Sequence, residues 1–274
     1  MDTKNNSKIK VCFHIIGLII VLIICQSIPS MALSYLPNKK IAWLLNLILP
    51  LMLIYFVLGL YKNMFFKKDW SYFRVIKPKK DVFSGFLMGF VSLSFLIILF
   101  IFFDFVEPRI GKSFDVVELL LHALVMGIVA GICEELIFRG FIFKLIEKRW
   151  NIVAAFVVSS FIFSVLHIIN DVNMGLFAMV QMVVSLTIVG GLLAAITYKT
   201  GSIFYAAAFH AGVNFTSTFS QFECNDYHSL FYFDYVYKNS LVTGGENGPL
   251  VSIFAILMFL SMIVMVFRYT PKKV

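Results

Sequence analysis

A small group of polar residues lies within long apolar stretches of this 274-residue chain. The group consists of Glu134, Glu135, Arg139, His167, His210 and Asn214. Carboxylates and histidines together can hydrolyse a peptide bond in two ways. They can hold a divalent metal that lowers the pKa of bound water, or a carboxylate can take the proton from water directly.

The spacing within this group separates two roles. Glu135 and Arg139 are four residues apart, so on a helix they share one face and can form an ion pair. Glu134 is offset by about 100° around the same helix and cannot share the arginine in the same way. A charge at the centre of a membrane helix costs about 2.5–3.5 kcal/mol. We therefore expect Glu134 to have a partner on another helix.

The elements that carry these residues are predicted to be membrane helices. The chain is 60% hydrophobic and 14% charged, whereas soluble domains carry about 25% charged residues, and its mean hydropathy is +0.91. We predict an all-α polytopic membrane protein with about eight transmembrane helices. The predicted spans are 11–28, 41–60, 83–103, 118–140, 152–169, 176–198, 202–220 and 250–267.

Charged residues in the connections predict the orientation of these spans. Most of the 23 lysines and arginines lie in the N-terminal tail, the 61–82 and 144–150 connections, Lys199 and the C-terminal tail. The opposite side carries Lys39, Lys40, Arg109, Lys112 and Lys238. Because basic residues favour the cytoplasmic side, both termini are predicted to be cytoplasmic. The 61–82 connection mixes basic and aromatic residues that could lie on anionic headgroups.

The net charge of +8 does not indicate a nucleic-acid partner, since the basic residues lie in loops and not along a helix between aromatic residues. The four cysteines show no CxxC spacing and are assigned no role. The pattern Gly127-x-x-x-Gly131 predicts close helix packing, and the 221–249 segment is an exterior loop or a lid.

Counting residues along the helices predicts which groups meet. Glu134 lies 16 residues before Trp150, and His167 lies 16 residues after Asn151, so both should lie about 24 Å from that turn. His210 follows the turn at Lys199-Thr-Gly201, between the sixth and seventh spans, by nine residues, about 14 Å, and Asn214 lies one turn deeper. These depths agree if the first hairpin extends about 10 Å further into the cytosol.

Three motifs in this order, Glu134-Glu135-x-x-x-Arg139, Phe163-x-x-x-His167 and His210-x-x-x-Asn214, give a resemblance to a known family. Residues 115–220 resemble the CAAX protease and bacteriocin-processing (CPBP, or Abi) family, which includes the type II prenyl-CAAX endopeptidases. The resemblance implies an eight-helix membrane endopeptidase with a cavity reached from the cytosolic half. It also implies that Glu134 activates water, that His167, His210 and Asn214 complete the site, and that Glu135 and Arg139 support it.

Two mechanisms remain open from the sequence. Zn²⁺ could be held by Glu134, His167 and His210, or Glu134 could act without a metal. The chain divides into N-terminal helices (1–114), a catalytic core (115–220) and an exterior loop with the last helix (221–274). Expected partners are membrane lipid and a protein or peptide substrate.

The composition and short loops indicate a bacterial plasma membrane, where peptide or bacteriocin processing or immunity is the expected role. Two alternatives use the same residues. One is a membrane scaffold or immunity protein without proteolysis, and the other is a proton-coupled transporter.

Overall fold

The computed structural model describes residues 3–78, 81–111, 114–168, 175–222 and 229–269. Each predicted span coincides with one long helix among these residues. The long helices are α1 (Thr3–Ser34), α2 (Lys39–Phe65), α3 (Val82–Phe102), α4 (Val116–Arg149), α5 (Ile152–Ile168), α6 (Leu176–Thr200), α7 (Ile203–Phe219) and α8 (Ile253–Tyr269).

Helix length and hydropathy support a membrane protein. Among the described residues, five helices are long and apolar enough to cross a membrane: α1 from Lys8 onward, α2, α3, α4 and α6. The apolar helices α5 and α8 have 17 residues each, and so does α7. The number of spans and the orientation of the termini stay predictions.

Helix α4 is longer than its predicted span and is not a uniform α-helix. Its 34 residues correspond to about 50 Å, which exceeds the roughly 30 Å hydrocarbon core. Asp115 caps its first turn by accepting hydrogen bonds from the Val117 and Glu118 N–H groups. Two segments are π-helical, Val125–Val129 and Leu136–Ile142, and the α-helical turn between them is Ala130–Glu135. Such segments occur often at functional sites.

A small sheet, which the sequence analysis did not predict, connects the ends of α3 and α7. The strands are β1 (Val106–Ile110), β2 (Ser220–Phe222) and β3 (Phe231–Tyr235), in the order β1-β3-β2. Strand β3 pairs antiparallel with β1 and parallel with β2. The shorter helical turns are Trp70–Phe73, Ser240–Thr243, Gly245–Asn247 and Pro249–Val251. Part of the 221–249 segment is therefore regular structure.

Helices α3 and α7 approach so closely that their contact requires glycine. A Cβ atom on Gly89 would lie 2.0 Å from the Phe209 carbonyl oxygen, and one on Gly212 would lie 2.1 Å from the Phe86 carbonyl oxygen. Neither position has room for a side chain. Small residues permit this approach in membranes, where van der Waals contact stabilises helix pairs.

The opposite face of α7 packs on α4 through the predicted glycine pair. A Cβ atom on Gly127 would lie 3.1 Å from the Ala211 carbonyl oxygen, and one on Gly131 would lie 2.8 Å from the Ala207 carbonyl oxygen. The prediction of close packing at Gly127-x-x-x-Gly131 is confirmed. Helix α7 is thus fixed between α3 and α4, which sets the position of its polar residues relative to those of α4.

Candidate active site

One cavity of ≈ 630 Å³ contains polar residues from several different elements. Its walls include Glu134 of α4, His167 of α5, and His210 and Asn214 of α7. Residues 220–222 of β2 and 247–250 of the following turns complete the wall. The structure therefore brings together the four residues that the sequence analysis predicted to carry the chemistry.

Glu134 is the acidic residue that faces this cavity. Its Oε2 atom lies 3.9 Å from His167 Nε2, so the two side chains are level, as helix counting predicts. This distance is too long for a hydrogen bond. Glu134 Oε2 is buried and has no hydrogen-bond partner among the described residues. A carboxylate in the wall of a cavity can accept a hydrogen bond from a water molecule there and take its proton.

His167 is held by its own helix. Its Nδ1 atom lies 2.8 Å from the Phe163 carbonyl oxygen, and its ring lies against the Phe163 ring with centroids 4.5 Å apart. A carbonyl oxygen accepts hydrogen bonds only, so Nδ1 carries the proton in this contact. The other ring nitrogen, Nε2, is the one directed to Glu134.

Glu135 has no exposed surface and contacts two other charged or titratable side chains. Its Oε1 atom lies 3.0 Å from Arg139 Nη1, so the predicted ion pair is confirmed. The same oxygen lies 3.2 Å from His210 Nδ1. Arg139 in turn donates a hydrogen bond from Nη2 to the Gly190 carbonyl oxygen of α6, at 3.1 Å. Glu135 and Arg139 together join α4 to α6 and α7.

The hydrogen-bonded partner of His210 differs from the sequence expectation. We expected His210 to face Glu134, but its Nδ1 atom contacts Glu135. A straight α-helix was assumed for α4, whereas π-helical turns lie on both sides of the two glutamates. A π-turn contains an extra residue and so changes which residues face a neighbouring helix. His210 still lines the cavity beside Glu134.

Asn214 binds the first π-helical segment of α4. The Ala130 N–H donates to the carbonyl oxygens of Val125 and Gly127 and bypasses that of Met126. Asn214 Nδ2 donates a hydrogen bond to the Met126 carbonyl oxygen, at 2.9 Å. The asparagine therefore contacts a carbonyl group that the Ala130 N–H leaves free, and its own amide is oriented by that bond.

The zinc alternative requires Glu134, His167 and His210 to converge on one point. No group of three His, Cys, Asp or Glu side chains within the described ranges is placed to hold a metal ion. The Nδ1 atoms of both histidines are engaged, with Phe163 and Glu135 respectively, which leaves Nε2 free on each, as metal-ligating histidines also show. The zinc alternative stays a prediction.

The cavity extends toward the end of the molecule that carries β2 and the 245–251 turns. The charge distribution predicts this end to be exterior, since the basic 61–82 and 144–150 connections lie at the other end of the helices. No described residue of the cavity wall belongs to those basic connections. The resemblance implies a cavity reached from the cytosolic half, and the charge distribution predicts cytoplasmic termini. These two expectations are incompatible in this structure, because the cavity extends toward the end opposite the basic connections.

Several residues of the cavity wall were not predicted from the sequence. His122, which is not among the predicted site residues, lines the cavity and stacks on Trp43 with ring centroids 4.4 Å apart. A signal was present in the sequence, because His122, Met126, Ala130 and Glu134 follow one another at intervals of four residues.

Other histidines and polar residues were excluded from the site. His14 lies at the contact of α1 and α2, where its Nδ1 atom and the Tyr61 hydroxyl group form a hydrogen bond. Cys224 and His228, and Asn170 and Asp171 next to α5, lie outside the described residues.

A comparison with known protein families covers the part of the chain that contains these motifs. The family model described as Type II CAAX prenyl endopeptidase Rce1-like matches residues 116–216. Residues 116–216 are therefore similar to that family. All three motifs lie within the matched residues, so the resemblance drawn from them is confirmed. No curated protein and no solved structure matches the chain. The match and the apolar helices support a multi-pass membrane protein related to membrane endopeptidases.

Proposed function

We propose that this protein hydrolyses a peptide bond of a membrane-associated protein or peptide with a water molecule activated by Glu134. The Glu134 carboxylate in the cavity wall, with one oxygen left without a hydrogen-bond partner among the described residues, is the observation that supports this proposal best. A general base must lie within hydrogen-bond reach of the water that it deprotonates, and a carboxylate in the cavity wall can meet this requirement.

The reaction proceeds in two proton transfers. Glu134 accepts a proton from water, and the oxygen of that water adds to the carbonyl carbon of the peptide bond. The C–N bond then breaks, and Glu134 returns the proton to the departing amine. A new carboxylic acid and a new amine result, with one water consumed.

The negative charge on the carbonyl oxygen needs donors during this reaction. The Asn214 amide lines the same cavity and has a second N–H besides the one bound to Met126, so it can serve as such a donor, whereas neutral His167 presents Nε2 as an acceptor. Glu135 accepts the Nδ1 hydrogen of His210 and thereby leaves Nε2 as the nitrogen available to the substrate. Glu135 and Arg139 act in this proposal as positioning residues.

The chemistry of the cavity suits a peptide and does not identify a lipid. Its lining includes Ser217, Thr218, Gln221 and Asn247, whose hydroxyl and amide groups bind peptide groups readily. Processing of a peptide or bacteriocin, or immunity against one, is the role we propose. Entry is expected from the end of the molecule that carries β2.

The experiment compares Glu134→Gln with the wild type in proteolysis by the purified protein. The probes are a farnesylated peptide with a CAAX sequence and its unprenylated counterpart, with cleavage followed by mass spectrometry. Glu134→Gln keeps the size of the side chain and removes the base, so the rate should fall by about 10²–10⁴. Glu118→Gln, the same change in α4 outside the cavity, is the matched control and should remain active.

A chelator arm separates the two mechanisms. Activity that persists after dialysis against a chelator supports the metal-free reaction, whereas loss that Zn²⁺ restores would favour the metal alternative. Cleavage that survives Glu134→Gln would show that the proposed mechanism is wrong. A biological phenotype that survives both Glu134→Gln and His210→Ala would favour the scaffold, and substrate-driven proton uptake that depends on Glu134 would favour a transporter.

A further inference from the structure

A second cavity, of ≈ 290 Å³, lies between α1, the connection after α2 and the end of α4. We call it the basic cavity. Its polar wall contains Lys144, Lys148 and Arg149. Its apolar wall contains Val11 and Leu145, and the aromatic residues Phe66 and Phe73. It shares no described residue with the cavity that contains Glu134.

The elements around the basic cavity place it at the boundary of the predicted membrane region. Val11 begins the first predicted span, Phe66 directly follows α2, and Lys144 to Arg149 form the last turns of α4. All three belong to the end of the molecule where the basic connections lie. Lipid headgroups occupy this depth, with acyl chains on one side and water on the other.

Basic side chains from two separate segments lie around the ring of Tyr72, which lines this cavity. The Nζ atoms of Lys144 and Lys148, from α4, lie 5.2 and 6.0 Å from the centroid of its ring. Lys68, from the connection after α2, lies 5.9 Å from the same centroid. Like charges placed around one ring repel one another, and an anion among them would lower that cost.

The carboxylate beside these lysines does not balance their charge. Glu147 binds Lys144 at 2.9 Å and is shared with Arg74 at 3.3 Å. No carboxylate forms an ion pair with Lys148 among the described residues. The region therefore carries excess positive charge around a space lined in part by apolar side chains.

The connection that carries Tyr72 is fixed in place. The Arg74 guanidinium lies 4.6 Å from the centre of the Phe143 ring, and the Arg74 carbonyl oxygen accepts a hydrogen bond from the Ile203 N–H at 3.0 Å. Ser202 Oγ donates to the Ile76 carbonyl oxygen at 2.8 Å. The basic cavity is thus shaped before any ligand arrives.

We propose that the basic cavity binds the phosphate group of an anionic phospholipid. Lys144 and Lys148 donate hydrogen bonds to the phosphate oxygens, and Val11, Phe66 and Leu145 contact the glycerol group and the first part of an acyl chain. A free phosphate ion has the same charge, but it would leave these apolar residues without a partner. The proposal does not depend on proteolysis.

The experiment measures lipid binding to the purified full-length protein in detergent micelles by native mass spectrometry. Dioctanoyl phosphatidylglycerol is titrated against dioctanoyl phosphatidylcholine of the same chain length, and glycerol phosphate serves as the free anion. Phosphatidylglycerol should bind best. Lys148→Ala and Lys144→Ala should each weaken its binding about fivefold, the change that corresponds to about 1 kcal/mol per basic residue.

Lys77→Ala is the matched control, because Lys77 is an exposed lysine of the same basic connection and does not line the cavity. It should leave binding unchanged, and Lys148→Arg should restore most of it. Equal binding of the two lipids, or equal weakening by Lys77→Ala and Lys148→Ala, would overturn the proposal. Glycerol phosphate that binds as tightly as phosphatidylglycerol would overturn the assignment to a lipid. Thermal unfolding of each variant confirms that it is folded.

Discussion

Glu135 is the residue on which the arrangement of the site depends most. Its side chain is inaccessible to solvent, and one oxygen contacts both Arg139 and His210. A buried ion pair gives little net stability compared with apolar residues, but removal of one member leaves the other charge unpaired. Its loss would thus change both the stability of the protein and the orientation of His210.

Glu135→Gln should reduce the free energy of unfolding by about 3–5 kcal/mol, because Arg139 would remain buried without its carboxylate. The double variant Glu135→Gln/Arg139→Met removes both charges and should recover part of this loss. Denaturant unfolding in micelles measures the free energy of unfolding of Glu135→Gln, of Arg139→Met and of the double variant. A double variant as unstable as the sum of the two single variants would show that the two residues are not coupled.

For individual residues, the sequence predicts contacts within a helix better than contacts between helices. The Glu135–Arg139 pair follows from a spacing of four residues on one helix. The contact of His210 with Glu135 depends on the rotation of α7 about its axis and on the π-helical turns of α4. Neither can be read from residue spacing, since an assumed straight α-helix directs His210 to Glu134.

Helix positions could be predicted well because hydropathy sets them directly. All eight predicted spans coincide with helices, whereas the two π-helical segments of α4 have no periodic signal. The small sheet was also missed, because β2 has three residues and β3 has five, and their pairing joins segments far apart in sequence. Such strands give too little local pattern to predict.

The contact between α3 and α7 gives a prediction about packing. Gly89→Ala would place a methyl group 2.0 Å from the Phe209 carbonyl oxygen, so the helices must separate. We expect a loss of about 1–3 kcal/mol in unfolding free energy, the usual cost of overpacking. Proteolysis should fall with it, since His210 adjoins Phe209.

Gly17→Ala is the matched control for this change. A Cβ atom on Gly17 meets no other atom within 4 Å, so this variant should be as stable as the wild type or slightly more stable. Unfolding of both variants in micelles makes the comparison. Equal stability of Gly89→Ala and Gly17→Ala would show that the close approach of α3 and α7 is not required.

For the molecule as a whole, the position of the cavity and the distribution of charge lead to one testable orientation. The cavity reaches the end with β2, and the basic connections occupy the opposite end. If the termini are cytoplasmic, as the charge distribution predicts, substrates enter from outside. This was not predictable from the sequence, because helix counting gives depth and does not show on which side a cavity opens.

Cysteine labelling in intact cells tests this orientation, in a background with Cys12→Ser and Cys224→Ser. Tyr237→Cys, at an exposed position beside β3, should react with a membrane-impermeant maleimide before lysis. Lys77→Cys should react only after lysis. The reverse pattern would place the termini outside and open the cavity to the cytosol.

The partners of Glu135 also differ in when they are synthesised. Arg139 is four residues away, but His210 is 75 residues further along the chain. At about 5–20 residues per second, the ribosome needs roughly 4–15 s to make the second partner. During this interval Arg139 has been synthesised and His210 has not. The internal ion pair of α4 therefore shields its charge while the helix enters the bilayer, before the rest of the site has been translated.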